Sequence, residues 1–220
     1  MRSVDFRLLL VTDRTQARGR PFLELLRQAV EAGLPAIQLR ERDLPTRELI
    51  QLGREIGSFT KPRAVPLIVN DRVDLMLAMN LDGVHLRTNS LPLSAVRRLV
   101  GVDRLIGIST HSLSEVQAAN QERADYVVFG PVFDTPSKRQ FGSPVGLERL
   151  AEACRLSTAP VFAIGGITCA AVPAVRRAGA HGVAVIGAIL GRDDVAAATR
   201  DLLAALAASS NSDARAIPRA

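Results

Sequence analysis

A single (β/α)8 barrel is the fold class this chain predicts, on three observations. Apolar runs alternate with amphipathic segments from end to end, the pattern of repeated βα units around a parallel sheet. The units recur at roughly 25 residues, the compact interval of such barrels. Near the end stand two glycine signals, Ala163-Ile164-Gly165-Gly166-Ile167 and Val183-Ala184-Val185-Ile186-Gly187-Ala188, each an apolar run closing where a strand hands over to a helix. The loops after strands seven and eight of a barrel commonly grip phosphate, because bare backbone N–H groups can approach an anion there. One such glycine signals only a tight βα turn; two in succession point to a phosphorylated ligand. A doubly wound open sheet would use about five or six strands and an early GxGxxG, and this chain has no such string.

The elements follow in order. Strand Arg7 to Thr12 precedes a helix from Pro21 to Glu31, and strand Ala36 to Arg40 a helix from Pro45 to Ser58. Pro66 to Asn70 pairs with Asp71 to Met79, Gly83 to Leu86 with Pro92 to Leu99, and Leu105 to Ser109 with Ser112 to Gln121. Tyr126 to Gly130, Val161 to Ile164 and Gly182 to Ile186 are the last strands, followed by helices Gly146 to Leu156, Thr168 to Arg177 and Asp193 to Ala208. Proline suits the first turn because its missing N–H would have no partner there, and Ser112 and Thr168 carry oxygens fit for N-caps. One domain is expected over 1–208, with 209–220, opening on Ser209-Ser210-Asn211-Ser212, a disordered tail.

Hydrophobic residues make up 47% of the chain, yet no apolar stretch approaches the ~18 residues of a membrane helix, so a soluble, cytoplasmic protein without a membrane partner is expected. Met1 to Phe6 is too short and polar for a signal peptide. Cys154 and Cys169 have no CxxC or Cys/His spacing and read as reduced packing residues. The net charge of +6 is scattered, as in Arg97-Arg98, Arg139 and Arg176-Arg177, and few aromatics are available to stack bases. Attraction for anionic small molecules fits this better than nucleic acid. A homodimer through exposed apolar helix faces is open to such a barrel.

Barrel chemistry belongs where strands stop. Strand two ends in Gln38-Leu39-Arg40-Glu41-Arg42, where alternation points Gln38 and Arg40 inward and Leu39 outward. Polar groups inside a barrel are costly unless they meet a polar ligand; the alternative is a salt bridge from Arg40 to a buried carboxylate. Strand three ends in Asn70-Asp71-Arg72, whose carboxylate suits Mg2+ or an N-cap of the next helix. Strand four ends in His85-Leu86-Arg87-Thr88-Asn89-Ser90 and strand five in Ser109-Thr110-His111-Ser112, where His111 is a candidate for proton transfer. After strand six, Gly130 to Pro144 has no helical period and carries hydroxyls beside Lys138 and Arg139, the composition of a lid closing over an anion.

Between about Leu9 and Leu190 the chain resembles the thiamine phosphate synthase and thiazole tautomerase family. The matching strings are Val11-Thr12-Asp13, Gln38-Leu39-Arg40-Glu41, Asn70-Asp71-Arg72-Val73-Asp74, Asp82-Gly83-Val84-His85-Leu86, Ile108-Ser109-Thr110-His111, Ala124-Asp125-Tyr126-Val127 through Gly130-Pro131-Val132-Phe133, and Ala163-Ile164-Gly165-Gly166-Ile167. The resemblance implies a transferase of thiamine biosynthesis. A hydroxymethylpyrimidine diphosphate ionises to a cation and pyrophosphate, and the nitrogen of a thiazole phosphate captures the cation. By motif position, Arg40, Asn70 and Lys138 would meet the diphosphate, Asp71 would hold Mg2+, and Gln38 and Ser109 would face the pyrimidine. Thr135 and Ser137 would bind from the lid, and Gly166, Ile186 and Gly187 would offer backbone N–H groups to the thiazole phosphate.

Two departures stand out. Synthases of the family carry Gly-Gln-x-Asp after strand four, whose carboxylate also ligates Mg2+; this chain has Arg87-Thr88-Asn89-Ser90, so Ser90 stands in place of the second acid. A lysine of the synthases is here Arg42. Mg2+ is bridged largely by substrate phosphates, so its binding would be weakened rather than abolished, and Arg87 offers another means of offsetting diphosphate charge. The same departures keep open the tautomerase, which shifts protons on a thiazole carboxylate phosphate without metal and would use His111, and a non-catalytic binder of phosphorylated ligands. Lys138 with Asn70-Asp71 leans toward the synthase.

Overall fold

Side chains alternate along each strand between two cores, and the inward and outward sets separate cleanly. In the computed structural model, which describes residues 4–135 and 143–213, eight parallel strands close into a barrel in sequence order. They are β1 (Leu8–Val11), β2 (Ile37–Leu39), β3 (Leu67–Asn70), β4 (Gly83–Leu86), β5 (Leu105–Thr110), β6 (Tyr126–Phe129), β7 (Val161–Ile164) and β8 (Gly182–Val185), with β8 returning to pair with β1. Inside lie Leu9, Val11, Ala36, Ile68, Leu105, Tyr126, Val128, Phe162 and Ala184, plugged at the lower end by Phe6. Outward residues such as Leu8, Leu10, Ile37 and Leu39 meet the helices in a second, larger core. This is the expected fold, with strand ends within one or two residues of expectation.

The helices are α1 (Phe22–Glu31), α2 (Thr46–Thr60), α3 (Val73–Met79), α4 (Leu93–Val100), α5 (Leu113–Gln121), α6 (Gly146–Leu156), α7 (Val172–Arg177), α8 (Gly187–Leu190) and α9 (Val195–Asp213). Ser112 caps α5 as expected, its hydroxyl accepting from Glu115 N. Thr168 makes no side-chain cap. α9 continues past Ala208 to Asp213, and within it the Ser209 hydroxyl donates to the Ala205 carbonyl at 2.7 Å, which satisfies it inside the helix. Three elements have no counterpart in the predicted set: the 3-10 turn Arg14–Ala17, started by Asp13 accepting from Thr15 N at 3.1 Å, the 3-10 turn Lys61–Arg63 and the four-residue α8.

All strands being parallel, their C-terminal ends lie on one face. Register sets Ile164 of β7 beside Ala184 of β8, so both glycine corners open on that face. Glycine is required at the first corner. Gly165 and Gly166 have φ of 97° and 63°, and a Cβ at Gly166 would lie 2.5 Å from the Asp134 carbonyl oxygen. The start of the loop after β6 leans on this corner: Val132 N donates to Ile164 O at 2.8 Å and Phe133 N to Gly165 O at 3.0 Å. The tight-turn role of these glycines is therefore real, whatever else they do.

Candidate active site at the barrel mouth

Strand alternation sends Gln38, Asn70, His85, Ser109 and Tyr126 into the upper barrel, where water is scarce and each polar atom needs a partner. Gln38 Nε2 donates to Asn70 Oδ1 at 3.2 Å. His85, only 2% exposed, lies between the Tyr126 hydroxyl, 3.1 Å from Nδ1, and the Ser109 hydroxyl, 2.9 Å from Nε2. Burial, then the nearby charge of Arg40, lowers the His85 pKa to about 3, so the ring is neutral and carries one proton.

Which nitrogen carries that proton follows from satisfaction. Burial also raises the Tyr126 pKa, so the phenol keeps its hydrogen. Among the described residues His85 Nδ1 is its one acceptor, and leaving a buried hydroxyl unpaired costs about 1–3 kcal/mol. Tyr126 therefore donates to Nδ1, and Nε2–H donates to Ser109 Oγ. The half-buried Ser109 hydroxyl is thereby left to donate its own hydrogen toward the mouth. Neither His85 nor Tyr126 is among the site residues read from the sequence. The available signal was alternation, which puts Gly83 and His85 on the inner face, together with Gly107, whose absent Cβ makes room for the Tyr126 ring.

Arg40 follows β2 and is half-buried. Its guanidinium makes no ion pair or hydrogen bond among the described residues, so the alternative of a salt bridge to a buried carboxylate is not what forms. Glu41, 5% exposed, instead accepts from Arg14, whose backbone N lies 3.2 Å away. Burial, then Arg42, with Arg87 also contributing, lowers the Arg40 pKa, and the charges of Asp13 and Glu41 offset this only in part. A cleft of about 420 Å3 opens beside it, lined by Asp13, Arg40, Glu41, Arg42 and Asp43.

Asp71 follows β3 with φ of 64°, a conformation costing a non-glycine residue of order 1 kcal/mol or more unless contacts hold it. Those contacts replace the expected N-cap, since Asp71 makes no cap to α3. Arg87 Nε donates to Asp71 Oδ2 at 2.9 Å and Nη2 to the same oxygen. The Ser90 hydroxyl donates to Oδ1 while accepting from Arg87 N at 2.8 Å. Both oxygens of the carboxylate expected to hold Mg2+ are thus engaged, one by a cation. Among the described residues no group of three or more His, Cys, Asp or Glu side chains could hold a metal. With both Asp71 oxygens committed to Arg87 and Ser90, no uncommitted carboxylate is offered of the one or two by which Mg2+ is held beside phosphates, so this donor set does not fit it.

The remaining expected residues divide. At the glycine corners, the N–H groups of Gly166 and Gly187 have no acceptor among the described residues, and Ile186 lies half-buried between β8 and α8. Thr135 is half-buried at the edge of the described loop. Ser137 and Lys138 lie outside the described residues. His111 is exposed, and its Nδ1–H donates to the Gly130 carbonyl at 2.5 Å, which ties the ring to the end of β6. Arg40, Asp71, Arg87 and His85 act on one another electrostatically and so occupy one neighbourhood.

A closed β/α barrel whose C-terminal face gathers unspent cationic and hydrogen-bonding groups defines a barrel enzyme with its active site at that mouth. The profile of the thiamine monophosphate synthase family matches residues 8–189, and the chain belongs to that family, a family of transferases. It is 45% identical over 206 residues to a putative thiamine-phosphate synthase of Geobacter sulfurreducens, covering 94% of this chain and 97% of the relative. It is 44% identical to a thiamine-phosphate synthase of Roseiflexus sp., covering 94% and 88% respectively. Thiamine phosphate pyrophosphorylase from Pyrococcus furiosus superposes with a TM-score of 0.84 at 35% identity, over 92% of this chain and 96% of that one. Among the described residues no helix is long and apolar enough to cross a membrane.

Proposed function

We propose that this chain couples a hydroxymethylpyrimidine diphosphate to a thiazole phosphate, giving thiamine phosphate and pyrophosphate. The observation that carries the reading is the half-buried, unpaired Arg40 beside a buried hydrogen-bonded set that ends in an outward-donating Ser109. The C–O bond to the diphosphate breaks with its electron pair leaving on pyrophosphate, and the thiazole nitrogen closes the new C–N bond. Arg40 supplies fixed charge where the leaving group gains it, which is worth most in a partly dry site. Ser109 and Gln38 hold the pyrimidine, with Ser109 selecting a ring atom that accepts a hydrogen bond. The free N–H groups of Gly166 and Gly187 would take the thiazole phosphate beside it, keeping the nucleophile in line.

The tie between His111 and Gly130 fixes the ring with Nε2 as its basic nitrogen, so the tautomerase reading, in which that ring moves a proton, is kept as the second reading. Purified chain incubated with both substrates, with Mg2+ supplied, should form thiamine phosphate on chromatography. Hydrogen exchange on the thiazole carboxylate phosphate without coupling would favour the tautomerase, and neither reaction would leave the binder.

A further inference from the structure

We infer that Arg87 stands where the family places its metal charge, and that this chain ionises the diphosphate without Mg2+. The inference rests on the synthase reading and names how its site neutralises the leaving group. Where the family's pattern has Gly and Asp, this chain has Arg87 and Ser90. One exchange adds a positive charge and the other removes a negative one, together the charge of one Mg2+.

The geometry makes the substitution specific. Arg87 is tied to a single oxygen of Asp71 through Nε and Nη2, which leaves its Nη1 without a partner among the described residues. Ser90 locks the arrangement from the other side by holding both the second oxygen of Asp71 and the backbone N of Arg87. With a carboxylate at 90, two like charges would face each other and call for a cation between them. With a serine there, the hydroxyl hydrogen does that work. Arg87 is paired with Asp71, while the Arg40 guanidinium, close enough to feel its charge, has no ion pair among the described residues, so two guanidinium groups face the same mouth. A guanidinium presents its donors as a planar fork suited to phosphate oxygens. Ionisation then proceeds with no added reagent: the methylene–oxygen bond breaks, and the charge on the departing pyrophosphate falls on Arg87 and Arg40.

The test uses the full chain, its two substrates and EDTA. Coupling should persist in EDTA at essentially the rate seen with Mg2+. Arg87→Gln should lower that metal-free kcat about 100-fold, the usual size of losing one preorganised charge, and Arg87→Lys should recover part of it. Mn2+ titrated by electron paramagnetic resonance with inorganic pyrophosphate present should show no tight site in the native chain and one in Ser90→Asp. Loss of coupling in EDTA with full recovery in Mg2+, or a tight Mn2+ site in the native chain, would overturn the inference. Absence of coupling even with Mg2+ would sink the synthase reading instead. Calorimetry with inorganic pyrophosphate in EDTA then decides the role of Arg87. Binding weakened by Arg87→Gln upholds it, and binding that requires Mg2+ or ignores Arg87 removes it.

Discussion

The two ends of the barrel use the same residue types to opposite effect. At the lower end the charges packed against the strands are met by their own chain: Arg97 donates to Asp125 at 2.5 Å, Asp125 also accepts from Ile106 N at 2.7 Å, and Asp82 accepts from Leu67 N at 2.9 Å. His181 Nε2 donates to the Phe6 carbonyl at 3.1 Å, and Arg176 donates to the carbonyls of Ala180 and His181. These contacts fasten neighbouring strands, and the rings of Phe6, Tyr126 and Phe162 pack edge to face or tilted beneath the cavity. At the upper end Arg40 is unpaired, Arg87 keeps an unspent donor, Ser109 points its hydrogen outward, and Asp71 is held in a conformation it would not choose. The lower end uses polarity to hold the fold, and the upper end keeps it available for a ligand. That division is what stability at one face and chemistry at the other require of a barrel.

Breaking each end should therefore fail differently. Arg40→Ala should cost coupling most, about 100- to 1,000-fold in kcat, while the urea midpoint holds or rises because a poorly compensated cation has been removed from a half-buried place. A fall in stability with kcat intact would reverse the comparison. At the other end, Asp125→Ala leaves Arg97 facing the interior without its partner and should cost roughly 3 kcal/mol by urea unfolding. Coupling per folded molecule should be unchanged.

Smaller effects sharpen the boundary between the two regions. Tyr126→Phe removes the donor that fixes the His85 tautomer, frees the ring to flip its proton, and should lower kcat about tenfold with little change in KM for the thiazole phosphate. Nitrogen-15 shifts of His85 should report Nε2–H in the native chain and a mixture in the variant. The same ring gives a pH signature. Its folded pKa of about 3 lies below the 6.5 of the free side chain, so the unfolded chain binds a proton that the folded chain refuses. Stability conferred by neutral His85 is complete above about pH 6.5 and is lost as pH falls toward 3, with a slope near 1.4 kcal/mol per pH unit in the native-minus-His85→Gln difference. A flat difference over that range would show that His85 is not buried neutral.

Much of this was legible because a barrel repeats one simple rule. Inward alternation at Gln38 and the position of the glycine corners follow from strand period and parallel topology alone. What pairs with what did not follow. Asp71 reads as a metal ligand or cap from its neighbours in sequence, and only the fold brings Arg87 and Ser90 onto its two oxygens. His85 was visible as a histidine at a strand end, but its importance depends on Tyr126 two strands away. His111 reads as a candidate for proton transfer, and the Gly130 carbonyl that orients it belongs to another βα unit. Ser209 reads as the start of a disordered tail, because its hydrogen bond to Ala205 is invisible in a linear string.

The most direct test is a crystal structure of the chain with thiamine phosphate and pyrophosphate bound. The product phosphate should accept from the N–H groups of Gly166 and Gly187, with pyrophosphate on Arg40 and Arg87 and the pyrimidine against Ser109. A structure with Arg40 turned to a carboxylate of its own chain and both ligands elsewhere would contradict the account.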